Sequence, residues 1–138
     1  MDNAPYKLDT QIGFLLRRAT QRHLNLFAKS IVSLTPTQFA AIAKLAELGT
    51  TSQNQLGRET SMDGATIKGV IDRLTARGFV ESRTDTSDKR RLLIDLSEKG
   101  RAIWAELEAK GHEVSDETLA PLTAAEQAMM LELLKKLA

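Results

Sequence analysis

The segment from Phe79 to Ser97, FVESRTDTSDKRRLLIDLS, leaves few options for the fold around it. Phe79-Val80 and Leu92-Leu93-Ile94 with Leu96 are apolar runs of strand type. Thr84-Asp85-Thr86-Ser87-Asp88, between them, is turn material. The segment therefore reads as a short β-hairpin with Asp88, Lys89, Arg90 and Arg91 at its tip. A lone hairpin is barely stable in water, so this one has to lean on helices. Immediately before it, SMDGATIKGVIDRL, residues 61–74, reads as a helix with one apolar stripe and one polar face.

The rest of the chain supplies further helices. Residues 9–30 are amphipathic: Ile12, Leu15, Leu16, Ala19, His23, Leu26 and Phe27 follow the i, i+3, i+4, i+7 pattern. Thr35-Pro36-Thr37-Gln38 announces a second helix, with Thr35 as N-cap, proline in the first turn and Gln38 closing a capping box. It runs through Phe39, Ile42, Leu45 and Leu48 and stops at Gly49. Ser52-Gln53-Asn54-Gln55 repeats the capping signal and opens a short third helix reaching about Thr60. After the hairpin, Ser97-Glu98-Lys99-Gly100 starts a fifth helix bearing Ile103, Trp104, Leu107 and Val114. Beyond Pro121, the capping box Thr123-Ala124-Ala125-Glu126 opens a sixth, expected to bury Met129, Met130, Leu133, Leu134 and Leu137. The fold class is mainly α: six helices plus a β-hairpin.

Three short helices followed by a basic-tipped hairpin is the order of a winged helix-turn-helix, in which one helix enters a DNA groove and the wing reaches phosphates or the minor groove. The terminal helices carry more apolar surface than so small a module can cover. A twofold partner is the economical home for it, and a dimer also matches a palindromic operator. The expected division is a DNA-binding lobe at 35–96 and a helical dimerisation region at 1–34 and 97–138, within one chain of 138 residues.

A net charge of +1 looks small for a nucleic-acid binder, but its distribution is uneven. Residues 16–29 hold four bases and no acid, residues 83–91 four bases against two acids, and residues 106–132 seven acids against Lys110 alone. What DNA meets is a local basic footprint, not the whole-chain sum. Read alone, the same charges also suit a solvated surface. With no cysteine, the chain has no disulfide, thiolate metal site or cysteine nucleophile. The opening MDNAPYKLDT lacks the basic-then-apolar pattern of a leader, and no apolar stretch approaches the roughly 20 residues of a membrane span. A cytoplasmic location with no membrane partner is expected.

Catalysis is set against this reading. His23 and His112 are far apart and neither belongs to a metal-binding pair; no phosphate-cradling Gly-x-x-x-x-Gly-Lys loop or Gly-x-Ser-x-Gly elbow occurs. No enzyme activity and no cofactor are expected. The stronger competitor is a winged-helix adaptor that binds only proteins, without sequence-specific DNA binding; such a protein has no need of an exposed Lys89-Arg90-Arg91.

Residues 61–97 resemble the core of the MarR family of transcriptional regulators. Asp72-Arg73-Leu74, Gly78 before an apolar pair, Arg83 and Asp88-Lys89-Arg90 all match, and Leu96-Ser97-Glu98-Lys99-Gly100 stands where the family has Leu-Thr-x-x-Gly. Leu34-Thr35-Pro36-Thr37-Gln38-Phe39 resembles the start of its second helix. The resemblance implies a dimer on a pseudo-palindromic operator, usually a repressor, released by a small ligand. It also implies Arg90 in the minor groove with Asp88 orienting it, which suits a guanidinium and a narrow, negatively charged groove. The candidate DNA-binding residues are Ser52, Gln53, Ser61, Asp63, Gly64, Ala65, Thr66, Lys68, Gly69, Arg73, Asp88, Lys89, Arg90 and Arg91. The chain departs from the family where the common Thr-Arg pair falls on Lys68-Gly69. Gly69 either permits close approach of backbone to DNA or omits a contact.

The family's ligand pocket lies between the DNA-binding lobe and the dimer helices, which points here to the first, second and fifth helices. Phe14, Arg18 and Arg22 share a face at i, i+4, i+8, so a ring and two guanidiniums are placed to meet an aromatic carboxylate or its thioester. The arginines read equally as a DNA-facing or solvated patch. His23 lies on the apolar stripe, where a core or interface role competes with a ligand role. Phe39 and Trp104 complete the candidates, with a core reading favoured for both.

Overall fold

The computed structural model describes residues 4–138; Met1, Asp2 and Asn3, where the segment read as lacking a leader begins, lie outside the described residues. The chain forms two units, one of residues up to Ser30 together with His112–Ala138, the other of Ile31–Gly111.

In the first unit a 3-10 turn at Leu8–Thr10 precedes α1, Ile12–Ser30, so the regular helix begins later than its apolar pattern suggests. The unit also holds the end of α5, Glu98–Leu119, and all of α6, Ala124–Leu137. Thr123 caps α6 as expected: its hydroxyl accepts from Glu126 N–H at 3.2 Å, and the Glu126 carboxylate accepts from Thr123 N–H at 2.9 Å. The expected burial of Met129, Met130, Leu133, Leu134 and Leu137 is not found within one chain. No α6 residue is buried, and Leu137 is 69% exposed. These side chains line a helix face that a single chain leaves in water. On α1, Ile12, Leu15 and Leu16 are exposed in the same way, while Phe27 is buried.

The second unit holds α2 (Pro36–Leu48), β1 (Thr51–Ser52), α3 (Gln53–Glu59), α4 (Gly64–Ala76), β2 (Val80–Thr84), β3 (Leu92–Leu96) and the first part of α5. Residues 35–96 fall wholly within it. The capping box at Thr35 and Gln38 forms in both directions, and Gly49 ends α2 at φ +75°, a conformation glycine adopts without steric cost. Ile42, Leu45, Leu56, Ile67, Ile71, Leu74 and Ile94 are almost wholly excluded from solvent and form the core. Burial of each such side chain is worth about 1.5–3 kcal/mol.

The hairpin forms as expected, but a third strand joins it. Thr51 and Ser52 pair antiparallel with Ile94 and Leu93, giving the order β1-β3-β2. In the hairpin, Val80 lies opposite Leu96 and Thr84 opposite Leu92. The added strand stabilises a ribbon that would be marginal by itself.

Glycines fix two close approaches. A Cβ at Gly100 would stand 2.0 Å from the Phe79 carbonyl oxygen, and one at Gly111 2.6 Å from Phe39 Cζ. No helix among the described residues is long and apolar enough to cross a membrane.

Candidate nucleic-acid interface

The turn between α3 and α4 sets how the fourth helix is presented. Thr60 ends α3 with its hydroxyl donating to the Leu56 carbonyl at 2.6 Å. Ser61 then adopts φ +56°, and Met62 N–H closes the turn on the Gly57 carbonyl at 2.8 Å. Gly57 permits this tightness: a Cβ there would lie 3.1 Å from both Ile67 Cγ2 and the Met62 carbonyl oxygen.

The helix expected from Ser61 begins at Gly64 instead, because Asp63 acts as its N-cap. The Asp63 carboxylate accepts from Thr66 N–H at 2.7 Å, and this bond, helped by the Thr66 hydroxyl, holds the carboxyl below its ordinary pKa. Ser61 and Asp63 thus precede α4 rather than riding on it. Ile67, Val70, Ile71 and Leu74 turn inward, leaving Gly64, Ala65, Thr66, Lys68, Asp72 and Arg73 exposed. Lys68 is tied along the helix to Asp72 at 2.8 Å.

Ser52 is buried, and its hydroxyl accepts from Gln55 N–H at 3.2 Å as the cap of α3. Gln53 follows, half-buried, at the start of that helix. Between this end of α3 and the tip loop of the wing lies a polar cleft of about 270 Å³ bordered by Gln53, Asn54, Gln55, Arg58, Arg90 and Arg91. Asn54, Gln55 and Arg58 were not among the sequence candidates. No local motif marks them; only the return of the wing onto α3 brings them beside Arg90.

The wing tip is an ordered loop. Asp85 accepts from Ser87 N–H at 2.9 Å and from the Ser87 hydroxyl at 2.8 Å, which lowers its pKa. Asp85 N–H bonds the Arg91 carbonyl at 3.0 Å and Arg91 N–H the Asp88 carbonyl at 2.9 Å. One Asp88 oxygen accepts from both Arg90 N–H, at 3.0 Å, and Arg90 Nε–H, at 3.2 Å. The Arg90 side chain is still 92% exposed, so its terminal nitrogens point to solvent while its inner nitrogen is held. Arg91 lies 3.7 Å from Asp85, and Lys89 is exposed. Lower on the wing, Asp95 accepts from Thr50 Oγ1 at 2.6 Å and from Arg83 at 2.8 Å, and these bonds hold its carboxyl below the usual range.

The effector candidates fall into separate groups. In the first unit the Arg18 guanidinium sits 5.7 Å from the centre of the Phe14 ring. One turn on, Arg22 donates to the Thr118 carbonyl at 2.5 Å and the Glu117 carbonyl at 2.7 Å, a cation at the C-terminal end of α5. His23 Nδ1 lies 2.8 Å from the Thr118 hydroxyl oxygen. Because that hydroxyl donates its proton to the Val114 carbonyl at 2.8 Å, it accepts from His23 Nδ1–H. In the second unit the Phe39 and Trp104 rings pack at 5.5 Å between centroids, tilted by 53°. Trp104 also borders a cleft of about 340 Å³ with Leu45, Leu96 and Arg101.

Comparison with known proteins places this geometry. Residues 34–92 match the model of the MarR family. The chain is 35% identical to the HTH-type transcriptional repressor NicR of Pseudomonas putida, over 99% of this chain and 88% of NicR. A probable transcriptional regulator from Pseudomonas aeruginosa is 50% identical and superposes with a TM-score of 0.90, covering 96% of this chain and 100% of its own. Bordetella bronchiseptica BpsR, whose DNA binding is regulated by 6-hydroxynicotinic acid, is 35% identical with a TM-score of 0.93, covering 97% of each chain. With its wing, its capped helices and relatives of this similarity along almost its whole length, the chain belongs to the MarR family.

Proposed function

We propose that the chain is a ligand-responsive, DNA-binding transcriptional repressor that binds a pseudo-palindromic operator as a homodimer. The observation that carries this reading is the wing tip, where Asp88 fixes the root of the Arg90 guanidinium and leaves its outer nitrogens in water. An oriented, always-charged fork is suited to the negative potential of a narrow minor groove. The outward face of α4 is the base-reading surface, and residues 35–96 are the DNA-binding lobe. Arg58, beside Arg90 and Arg91, is placed for a backbone phosphate.

Residues 1–34 and 97–138 form the dimerisation region, a reading supported by the uncovered apolar faces of α1 and α6. The effector is an aromatic carboxylate or its thioester. Support comes from the Arg18–Phe14 pair and from the hydroxynicotinic acid response of BpsR. The reading is regulatory rather than enzymatic, and it puts the protein in the cytoplasm, with its operator.

The test is operator binding by fluorescence anisotropy at fixed salt. Arg90→Ala weakens binding by about 1–3 kcal/mol with an unchanged melting curve. Equal affinity of the variant would overturn the reading of the wing. Thermal-shift screening of aromatic acids then identifies the effector, since a ligand at 100 times its Kd adds about 2.7 kcal/mol.

A further inference from the structure

The outward face of α4 contains a seated guanidinium. Gly69 belongs to that face yet is half-buried, and what covers it is Arg73. A Cβ on Gly69 would lie 3.4 Å from Arg73 Nη1, 3.9 Å from its Cζ and 4.0 Å from Nη2, so the fork lies over the bare backbone of residue 69. Helical side chains lean toward the N-terminus and cover the preceding turn, which is why position 73 reaches position 69. The stem starts at the tenth residue of the 13-residue helix, but the head is delivered to the sixth.

The charges around it differ in availability. Lys68 is paired with Asp72 at 2.8 Å, whereas among the described residues no carboxylate lies within ion-pair distance of Arg73. An ammonium is in any case a point charge, while a guanidinium matches the paired O6 and N7 acceptors of guanine.

We propose that Arg73, whose fork lies across Gly69, reads a guanine in each operator half-site. The inference rests on α4 being the base-reading helix. It deepens that reading by naming the residue and base that set specificity.

The experiment is selection of binding sites from random duplex DNA with the full chain, comparing wild type with Arg73→Ala and Arg73→Lys. Wild type selects guanine at one pair of symmetry-related positions. Arg73→Ala and Arg73→Lys both flatten the preference at that pair alone, and affinity for the best site falls roughly ten- to hundredfold. If Arg73→Ala weakens all sequences alike and makes the salt dependence shallower by about one phosphate, Arg73 is a backbone contact and the inference is overturned. An unchanged preference in Arg73→Ala overturns it too. A wild type that selects no sequence would instead remove the operator-binding reading, and the inference with it.

Discussion

Gly100→Ala is the substitution for which the structure makes the sharpest demand. Alanine is the better helix former, and propensity alone predicts a gain of about 1 kcal/mol inside α5. The packing predicts the opposite. The new Cβ would stand 2.0 Å from the Phe79 carbonyl oxygen and 3.0 Å from its carbon, with Leu96 Cδ2 at 3.2 Å. A relaxed carbon–oxygen contact is about 3.3–3.6 Å, so backbone must move by more than about 1 Å. That carbonyl accepts from Ser97 N–H at 3.0 Å; the Ser97 hydroxyl donates to the Gly78 carbonyl at 2.5 Å and accepts from Gly100 N–H at 3.0 Å. Moving the start of α5 away from Phe79 lengthens the two bonds that cross to residues 78 and 79 together. Overpacking costs about 1–3 kcal/mol and each weakened buried hydrogen bond about 1 kcal/mol, against the 1 kcal/mol of helix preference. With two such bonds the expected net loss is about 2–4 kcal/mol. Urea unfolding at one fixed protein concentration should show the midpoint lowered by about 1–2 M. Gly13→Ala, where nothing lies within 4 Å of the added carbon, serves as the control and should hold or raise the midpoint. A Gly100→Ala midpoint equal to or above wild type would refute the packing argument.

Asp88→Ala should weaken operator binding although it removes a negative charge, because the Arg90 inner nitrogen loses its acceptor; tighter binding in an anisotropy titration would dismiss the orienting role. The Asp63 cap makes stability fall in acid. Its folded carboxyl titrates below the ordinary aspartate value, so its contribution is complete above about pH 4 and lost as pH drops through the lower folded value. Asp63→Asn, which caps without titrating, should show a shallower loss of urea midpoint below pH 4. Arg18→Ala should leave operator affinity intact while abolishing release by an aromatic acid; equal release in an inducer titration would exclude Arg18 from the effector site, and lost DNA binding without inducer would move α1 into the DNA footprint.

What could be read from the sequence was whatever has a local cause. Thr35-Pro36-Thr37-Gln38 and Thr123-Ala124-Ala125-Glu126 each contain the donor, acceptor and spacing of a capping box, and both boxes form. The hairpin was legible because turn residues separate two apolar runs, while the contact of Asp88 with Arg90 was implied by the resemblance to the MarR family. The two-residue strand Thr51–Ser52 was not, since its partners Ile94 and Leu93 lie more than forty positions away and no alternation marks so short a segment. Asp63 was read as a helical residue because the polar pattern of α4 continues upstream of its true start. Arg58 was missed for the same non-local reason: only folding puts it beside Arg90. On α6 the apolar spacing was visible, but its burial within one chain was not a consequence of spacing. Periodicity states which side chains share a face, not whether the cover for that face comes from the same chain.

The ion pairs of the second unit bear on how a protein of net charge +1 recognises DNA. Lys68, Arg83 and Arg91 each lie within 4.0 Å of a carboxylate in the same lobe, at Asp72, Asp95 and Asp85. Such exposed pairs add little stability. They do fix long side chains and subtract from the field felt by a polyanion at a distance. Non-specific affinity rises with the number of phosphates neutralised, so pairing these cations lowers it. Arg90 differs because Asp88 holds only its inner nitrogen, leaving the outer fork in water. A repressor that must find one operator among many competing sites gains from this arrangement: discrimination depends on the ratio of specific to non-specific binding, and each internal pair reduces the second more than the first.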